Sequence, residues 1–178
     1  MSQSATLYRI SQDSFDKLKE FDNKQLFEFP TMAKGYYAFQ GSFLGLEYVL
    51  SKGKDSKTID MILEIFNPQE QLIGKDFDNF SVDERFDFYM NSRFASYLDK
   101  SEVSRTHELL DSFSESDIRE NYNAQELNDK NIYPEVWHND NSPDQAFNER
   151  HLVEDFIQLK LIFAQADKDK DYIFVSVG

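Results

Sequence analysis

Alternating and continuous runs of apolar residues predict strands at the two ends of the chain. Residues 5–10 (ATLYRI) alternate and contain β-prone side chains, whereas residues 172–177 (YIFVSV) are apolar almost throughout. A nearly continuous apolar run is typical of a strand that is covered on both faces. We therefore predict that 172–177 is a central strand and that the two terminal strands belong to one sheet.

Apolar residues at helical spacing, together with capping signals, predict helices through most of the interval between these strands. Ser11 is the predicted N-cap of a helix that runs to about residue 22. A helix at about 41–52 has almost no polar face and should lie deep. Cap signatures that begin at Asp99, Ser114, Asn123 and Ser142 predict four further helices, at 100–112, 115–121, 124–130 and 143–166. The last of them has Ser142 as its predicted cap, Pro143 at its first position and a broad apolar stripe suited to packing on a sheet.

The remaining segments give less regular patterns. Residues 24–40 contain Pro30 and Gly35 and are predicted to form a loop pinned by aromatic packing. Residues 58–66 fit either a helix or a short strand, and 67–82 fit a long loop. The aromatic stretch 85–98 is predicted to end in a strand at 94–98. Together these elements predict an α/β fold in which helices flank a mixed sheet.

Composition favours one soluble domain and excludes several kinds of chemistry. The chain has 178 residues, of which 40% are hydrophobic and 15% aromatic, enough for a packed core. It contains no cysteine, which excludes disulfides, thiolate metal sites and cysteine nucleophiles. We expect no signal peptide, because no basic segment followed by an apolar run opens the sequence, and no membrane-spanning segment. The expected compartment is the cytoplasm.

The net charge of −14 restricts the partners that the protein can have. Nucleic acids and anionic membranes would repel such a chain, since binding to either needs Lys and Arg to neutralise phosphate. We therefore expect no nucleic-acid or membrane partner. Two interpretations remain: a solvated acidic surface that keeps the protein soluble, or an acidic face that docks a basic partner protein.

No recognisable catalytic or metal-binding motif is present. His107 and His151 fall on predicted helices without an HExxH spacing, so the sequence predicts no metal site. Residues 167–171 (DKDKD) resemble the opening of a calcium loop, but Tyr172 stands where glycine is required, and the simple interpretation is a solvated turn. We predict no catalytic residues and no cofactor, and the question whether the protein is an enzyme stays open, with a non-enzymatic role favoured.

The sequence resembles the YfbM-like family, a bacterial domain of unknown function, over nearly its whole length. The matching segments are the strand and capped helix start at 97–103, then 113–120 (FSESDIRE), 123–128 (NAQELN), 132–137 (IYPEVW), the long last helix and the closing strand. The chain departs from the family in having Asn131 where members usually carry Glu. It also has tyrosines and Phe39 in the segment where members often show a Trp and a His. The resemblance implies a three-layer α/β sandwich and no particular activity.

Two functional hypotheses follow. The first is a non-enzymatic protein-binding module, for example an immunity-type or antitoxin-like partner that masks a basic target. The second is a small-molecule binder or enzyme whose pocket is formed by the candidate residues Tyr36, Tyr37, Phe39, Tyr133, Glu135, Trp137 and His138. In that case Glu135 or His138 would be the acid or base. The segment 131–137 also has a structural interpretation, in which Tyr133 and Trp137 fix the connection against the last helix.

Overall fold

An antiparallel sheet runs through the computed structural model, which describes residues 3–90 and 94–178. Its strands are β1 Ser4–Ile10, β2 Gly35–Gln40, β3 Glu70–Leu72, β4 Ala95–Leu98 and β5 Tyr172–Val177. Their order is β2-β1-β5-β4-β3, which confirms that the terminal strands belong to one sheet and that β5 is central, and shows in addition that the two are neighbours. All four ladders are antiparallel, so the predicted mixed sheet is wrong.

The apolar run in β5 arises because hydrophobic clusters cover both faces of the sheet. Ile173 and Val175 lie in the larger cluster, while Phe174 lies in the smaller one. An antiparallel strand that is buried on both faces therefore has the same continuous pattern as a strand of a parallel sheet. The coarse α/β assignment is confirmed, and the three-layer arrangement stays a prediction.

Helices occupy most of the connections between the strands. Those in the described residues are α1 Gln12–Leu18, α2 Asn23–Leu26, α3 Phe43–Ser51, α4 Ser56–Glu64, α5 Val82–Met90, α6 Lys100–Asp111, α7 Glu115–Asn121, α8 Ala124–Asp129 and α9 Glu149–Asp169. Side chains of the predicted cap residues bind backbone N–H groups at four helix starts, namely Ser11, Asp99, Ser114 and Asn123. Most of 58–66, left open above, belongs to the helix α4, which ends at Glu64 and whose cap is Asp55. None of the helices in the described residues combines the length and the apolar character needed to cross a membrane.

The predicted loop at 24–40 instead contains α2, a 3₁₀ turn at Phe29–Met32 and the edge strand β2. Pro30 lies in the 3₁₀ turn and Gly35 is the first residue of β2, so neither residue interrupts the interior of the strand. Phe39 then pairs with Ala5 across the ladder and enters the larger cluster. Of the aromatic residues in this stretch, Tyr37 and Phe39 thus lie on the inward side of a strand, whereas Tyr36 is exposed.

The last helix begins at Glu149 rather than at 143. Asn148 is its cap, and the side-chain amide also donates to the carbonyls of Asp140 and Gln145, at 2.7 and 2.8 Å. These bonds fold the preceding residues into a loop around Asn148. Phe147 has a left-handed backbone (φ 55°), which a helix that started at Ser142 could not contain.

The stretch 85–98 also differs from its prediction. Its first part belongs to α5, its end is the predicted strand β4, and residues 91–93 lie outside the described residues. The predicted long loop at 67–82 contains the short edge strand β3, which pairs with β4.

Candidate functional site

Trp137 is a core residue that closes the 131–137 connection onto α3. Only 3% of its surface is exposed, and its indole Nε1 donates to the carbonyl of Ile132 at 2.8 Å. The side chain of Asn128 accepts from the Trp137 N–H and donates to the Trp137 carbonyl, at 2.9 Å in both cases. The ring lies against Gly45, where a Cβ atom would be 2.2 Å from the indole. Trp137 therefore has a structural role, as that interpretation of the segment expects, but its ring lies on α3, whereas the prediction named the last helix.

A cleft of about 510 Å³ opens between α3, α4 and the 131–137 connection, and we call it the Glu47 cleft. Its lining residues are Gln3, Leu44, Glu47, Tyr48, Ser51, Ile59, Leu63, Asn131, Ile132, Tyr133 and Glu135. Its volume is within the range of small-molecule sites. Two predicted site residues, Tyr133 and Glu135, line the cleft. Tyr133 is held there because its hydroxyl accepts from the Gln3 N–H at 3.0 Å.

Glu47 is the chemically distinctive residue of this cleft, and it was absent from the sequence-based set. Its residue surface is 9% exposed, and its side chain has no hydrogen bond or ion pair within the described residues. Burial raises the pKa of this carboxyl to about 7. A signal was available in the sequence, because Glu47 is the one charged residue between Phe43 and Ser51, in a helix that was predicted to lie deep because it has almost no polar face.

The titration of Glu47 should make the protein less stable as the pH rises. Its folded pKa of about 7 lies above the ordinary value of 4.5, so between these values the folded protein binds more protons than the unfolded chain. The free energy of unfolding therefore falls as the pH rises through this window. Glu47→Gln removes the effect and should stabilise the protein by about 1–3 kcal/mol near pH 8, with little difference near pH 4.

Urea denaturation of the wild type and Glu47→Gln across this pH range would measure the effect. Glu120→Gln is the matched control, because it removes one carboxylate from an exposed position on α7 and should leave the pH dependence unchanged. An equal stability difference between wild type and Glu47→Gln at both pH limits would contradict the titration of a buried carboxyl.

Tyr37 belongs to a different, buried cluster around Asp155. Its hydroxyl donates to Asp155 Oδ1 at 2.9 Å, Ser42 Oγ donates to Oδ2, and His151 Nε2 lies 3.6 Å from Oδ2. Burial raises the pKa of Asp155, while the Ser42 bond and the His151 charge oppose that rise. Ser42 is fully buried and is bonded to the carboxylate rather than to the imidazole. The cluster therefore lacks the order of a catalytic triad and ties β2, α3 and α9 together.

The other predicted site residues do not line the Glu47 cleft. Tyr36 is 70% exposed on β2 and Phe39 is fully buried. His138 is held through its backbone, whose N–H donates to Phe147 and whose carbonyl accepts from the Tyr122 hydroxyl. Glu135 and His138 are thus not brought together as alternative acids or bases of one pocket. No group of three or more His, Asp or Glu side chains that could hold a metal ion occurs in residues 3–90 and 94–178.

A second surface with functional character is the outward side of α5. Val82, Phe86, Tyr89 and Met90 are all more than half exposed, and we call these four residues the α5 face. The opposite side of the helix inserts Phe88, which is 1% exposed, between the rings of Phe77, Phe80 and Phe94. Acidic residues occupy the first turn beside the α5 face. The sequence did not predict this helix, because 85–98 is an aromatic, partly alternating stretch that was predicted to end in a strand.

The fold and these surfaces define an acidic α/β protein with a buried aromatic core, and comparison with known proteins gives its family. The chain matches the model described as "Domain of unknown function (DUF1877)" over residues 1–176, and it therefore belongs to this family. It is also similar to the crystal structure of YfbM, a protein of unknown function from Escherichia coli. That similarity has a TM-score of 0.61 and 13% identity, and covers 100% of both chains. It shows a shared fold and confirms the YfbM-like resemblance. No curated protein matches the chain.

Proposed function

We propose that the protein is a protein-binding module that docks a basic partner through the α5 face. The observation that carries the proposal is the exposure of this face: Val82, Phe86 and Met90 are 84%, 68% and 68% exposed. They recur every four residues and so form one stripe along the helix. A helix normally turns its apolar stripe towards a core, and contiguous exposed apolar surface is typical of interaction sites.

Charge supports a basic occupant of this face. Asp83 and Glu84 lie in the first turn of α5, and the whole chain carries a net charge of −14. An apolar stripe bordered by carboxylates complements a partner helix that has apolar residues on one side and Lys or Arg beside them. The acidic field would also accelerate association with such a partner. An immunity-type or antitoxin-like protein that masks a basic target is one concrete form of this function.

The proposal treats the chain as a single domain that acts in the cytoplasm. The absence of cysteine supports this compartment, because small secreted domains commonly depend on disulfides. An enzymatic role has less support, since Glu135 and His138 occupy separate positions and the Asp155 cluster is buried.

A labelled amphipathic helical peptide built from Lys and Leu is a suitable probe. Fluorescence anisotropy at low salt should show that the peptide binds to the wild type. The double substitution Phe86→Ala/Met90→Ala should weaken this binding by about tenfold or more, because it removes two apolar side chains from the centre of the contact. The substituted residues are exposed, so the fold should be little affected. Leu161→Ala is the matched control, because it removes a 48% exposed apolar side chain from α9 and should leave affinity unchanged.

Two outcomes would overturn the proposal. Equal peptide affinity of the wild type and the double variant would show that the acidic surface attracts the probe without the α5 face. Sedimentation equilibrium that reveals a dimer of the free protein, dissociated by Phe86→Ala/Met90→Ala, would identify a second copy of the chain as the occupant instead of a basic partner.

A further inference from the structure

The Glu47 cleft combines an unpartnered buried carboxyl with apolar and aromatic walls. Glu47 is about nine-tenths buried and lacks a hydrogen bond or ion pair within the described residues, yet its side chain lines an open cleft. Buried carboxyl groups in folded proteins are nearly always paired or hydrogen-bonded, because burying an unpaired carboxylate costs roughly several kcal/mol of desolvation free energy. A group that is buried, unpaired and reachable from a cleft is therefore suited to a ligand that supplies the missing partner.

We propose that the Glu47 cleft binds a small organic cation, namely a protonated amine attached to an aromatic or aliphatic body. An ammonium group would form a charge-assisted hydrogen bond with the Glu47 carboxylate. The walls that would receive the body are the side chains of Leu44, Ile59 and Leu63. This inference is independent of the proposed protein-binding function, because the cleft and the α5 face share no residue.

The charge of the lining favours a cation over an anion. The lining residues include a second carboxylate, Glu135, which is exposed, and none of the described lining residues is Lys, Arg or His. The basic residues nearest in the chain contact other groups: Lys52 pairs with Glu126, and Lys130 lies 5.6 Å from the centre of the Tyr48 ring without lining the cleft. An anionic ligand would therefore face two carboxylates and no cation from the lining.

Polar and aromatic groups beside Glu47 add to this preference. Ser51 lies one helical turn after Glu47, and its Oγ is buried with no hydrogen-bond partner within the described residues. An ammonium group has three N–H donors, so it can bond to a hydroxyl oxygen as well as to the carboxylate. Tyr133 also lines the cleft, and aromatic rings attract organic cations.

Isothermal titration calorimetry with 2-phenylethylamine, and with 2-phenylethanol as its neutral counterpart, tests the proposal. We expect the amine to bind near pH 8 at least about tenfold more tightly than the alcohol, which is a difference of about 1.4 kcal/mol. Glu47→Gln should remove that preference. Glu120→Gln loses the same charge outside the cleft and should bind the amine as the wild type does. Glu135→Gln separates the rim carboxylate from the buried one and should weaken binding less than Glu47→Gln.

The pH dependence supplies a second readout that a purely structural role would not affect. An alkylamine stays protonated at both pH 8 and pH 5, whereas the buried carboxyl gains a proton as the pH falls from 8 to 5, so amine affinity should fall at the lower pH. The other titratable groups that line the cleft are Glu135 and the two tyrosines, and burial raises the pKa of Tyr48 to about 12. Equal binding of amine and alcohol, an unchanged affinity in Glu47→Gln, or no binding of the amine at millimolar concentration would each overturn the proposal.

Discussion

Replacement of Trp137 by alanine is expected to lower the free energy of unfolding by about 3–5 kcal/mol, the usual range for removing a large buried aromatic side chain. Trp137 is 3% exposed and belongs to the larger cluster. The substitution also leaves the Ile132 carbonyl without the indole N–H that bonds to it at 2.8 Å. Urea denaturation followed by circular dichroism would measure the loss.

Gly45 provides the test of where this ring packs. A Cβ atom at position 45 would lie 2.2 and 2.3 Å from two carbons of the indole, so Gly45→Ala in the wild type should destabilise the protein by about 1–3 kcal/mol. In the Trp137→Ala background the ring is gone, and alanine is favoured over glycine within a helix by about 1 kcal/mol. The same substitution should then stabilise the protein.

This reversal of sign depends on contact between Gly45 and Trp137 and on no other property of either residue. If Gly45→Ala destabilised the protein equally in both backgrounds, the 131–137 connection would not rest on α3 in the way that the structure places it. The geometry also explains why this glycine is required without any unusual backbone conformation, since a larger residue would displace the ring.

Local patterns predicted the helix starts well because a capping side chain and the backbone groups that it binds lie within one turn. The failure at Ser142 shows the limit of that logic. Ser142-Pro143 has the better local signature, but Asn148 bonds both to the first turn of α9 and to two carbonyls of the preceding loop. The number of bonds that a cap can make depends on where the loop folds, which a short sequence window does not contain.

The candidate site was predicted only in part for a similar reason. Tyr133 and Glu135 were identified because a rare-residue segment drew attention to them, and both line the cleft. Glu47 was missed because its importance lies in the absence of a partner, which becomes visible only when the surrounding elements are in place. Tyr36, Tyr37 and Phe39 are adjacent in sequence, yet strand alternation directs Tyr36 outward and the other two towards the larger cluster.

The sequence also predicted that the charged residues 167–171 form a solvated turn, and this prediction is wrong at Asp171. Asp171 is 1% exposed, and its Oδ2 accepts from Arg9 Nη2 at 2.9 Å. Arg9 also donates to Gln165 and Asp169, at 2.7 and 2.6 Å. Arg9→Met should therefore lower the free energy of unfolding by about 3–5 kcal/mol, because it leaves a buried carboxylate without its main partner. Thermal and urea denaturation would measure this loss.

Two further variants distinguish a buried ion pair from a general loss of packing. Lys34 reaches the same carboxylates, at 3.0 and 3.1 Å, but its side chain is 40% exposed, so Lys34→Met should cost about 1 kcal/mol or less. The double variant Arg9→Met/Asp171→Asn removes both buried charges and should recover a large part of the stability lost in Arg9→Met, since the unpaired charge is the main source of the cost. Equal losses in the single and double variants would instead show that the unpaired Asp171 charge is not the source of the cost, which would then lie in the lost bonds from Arg9 to Gln165 and Asp169.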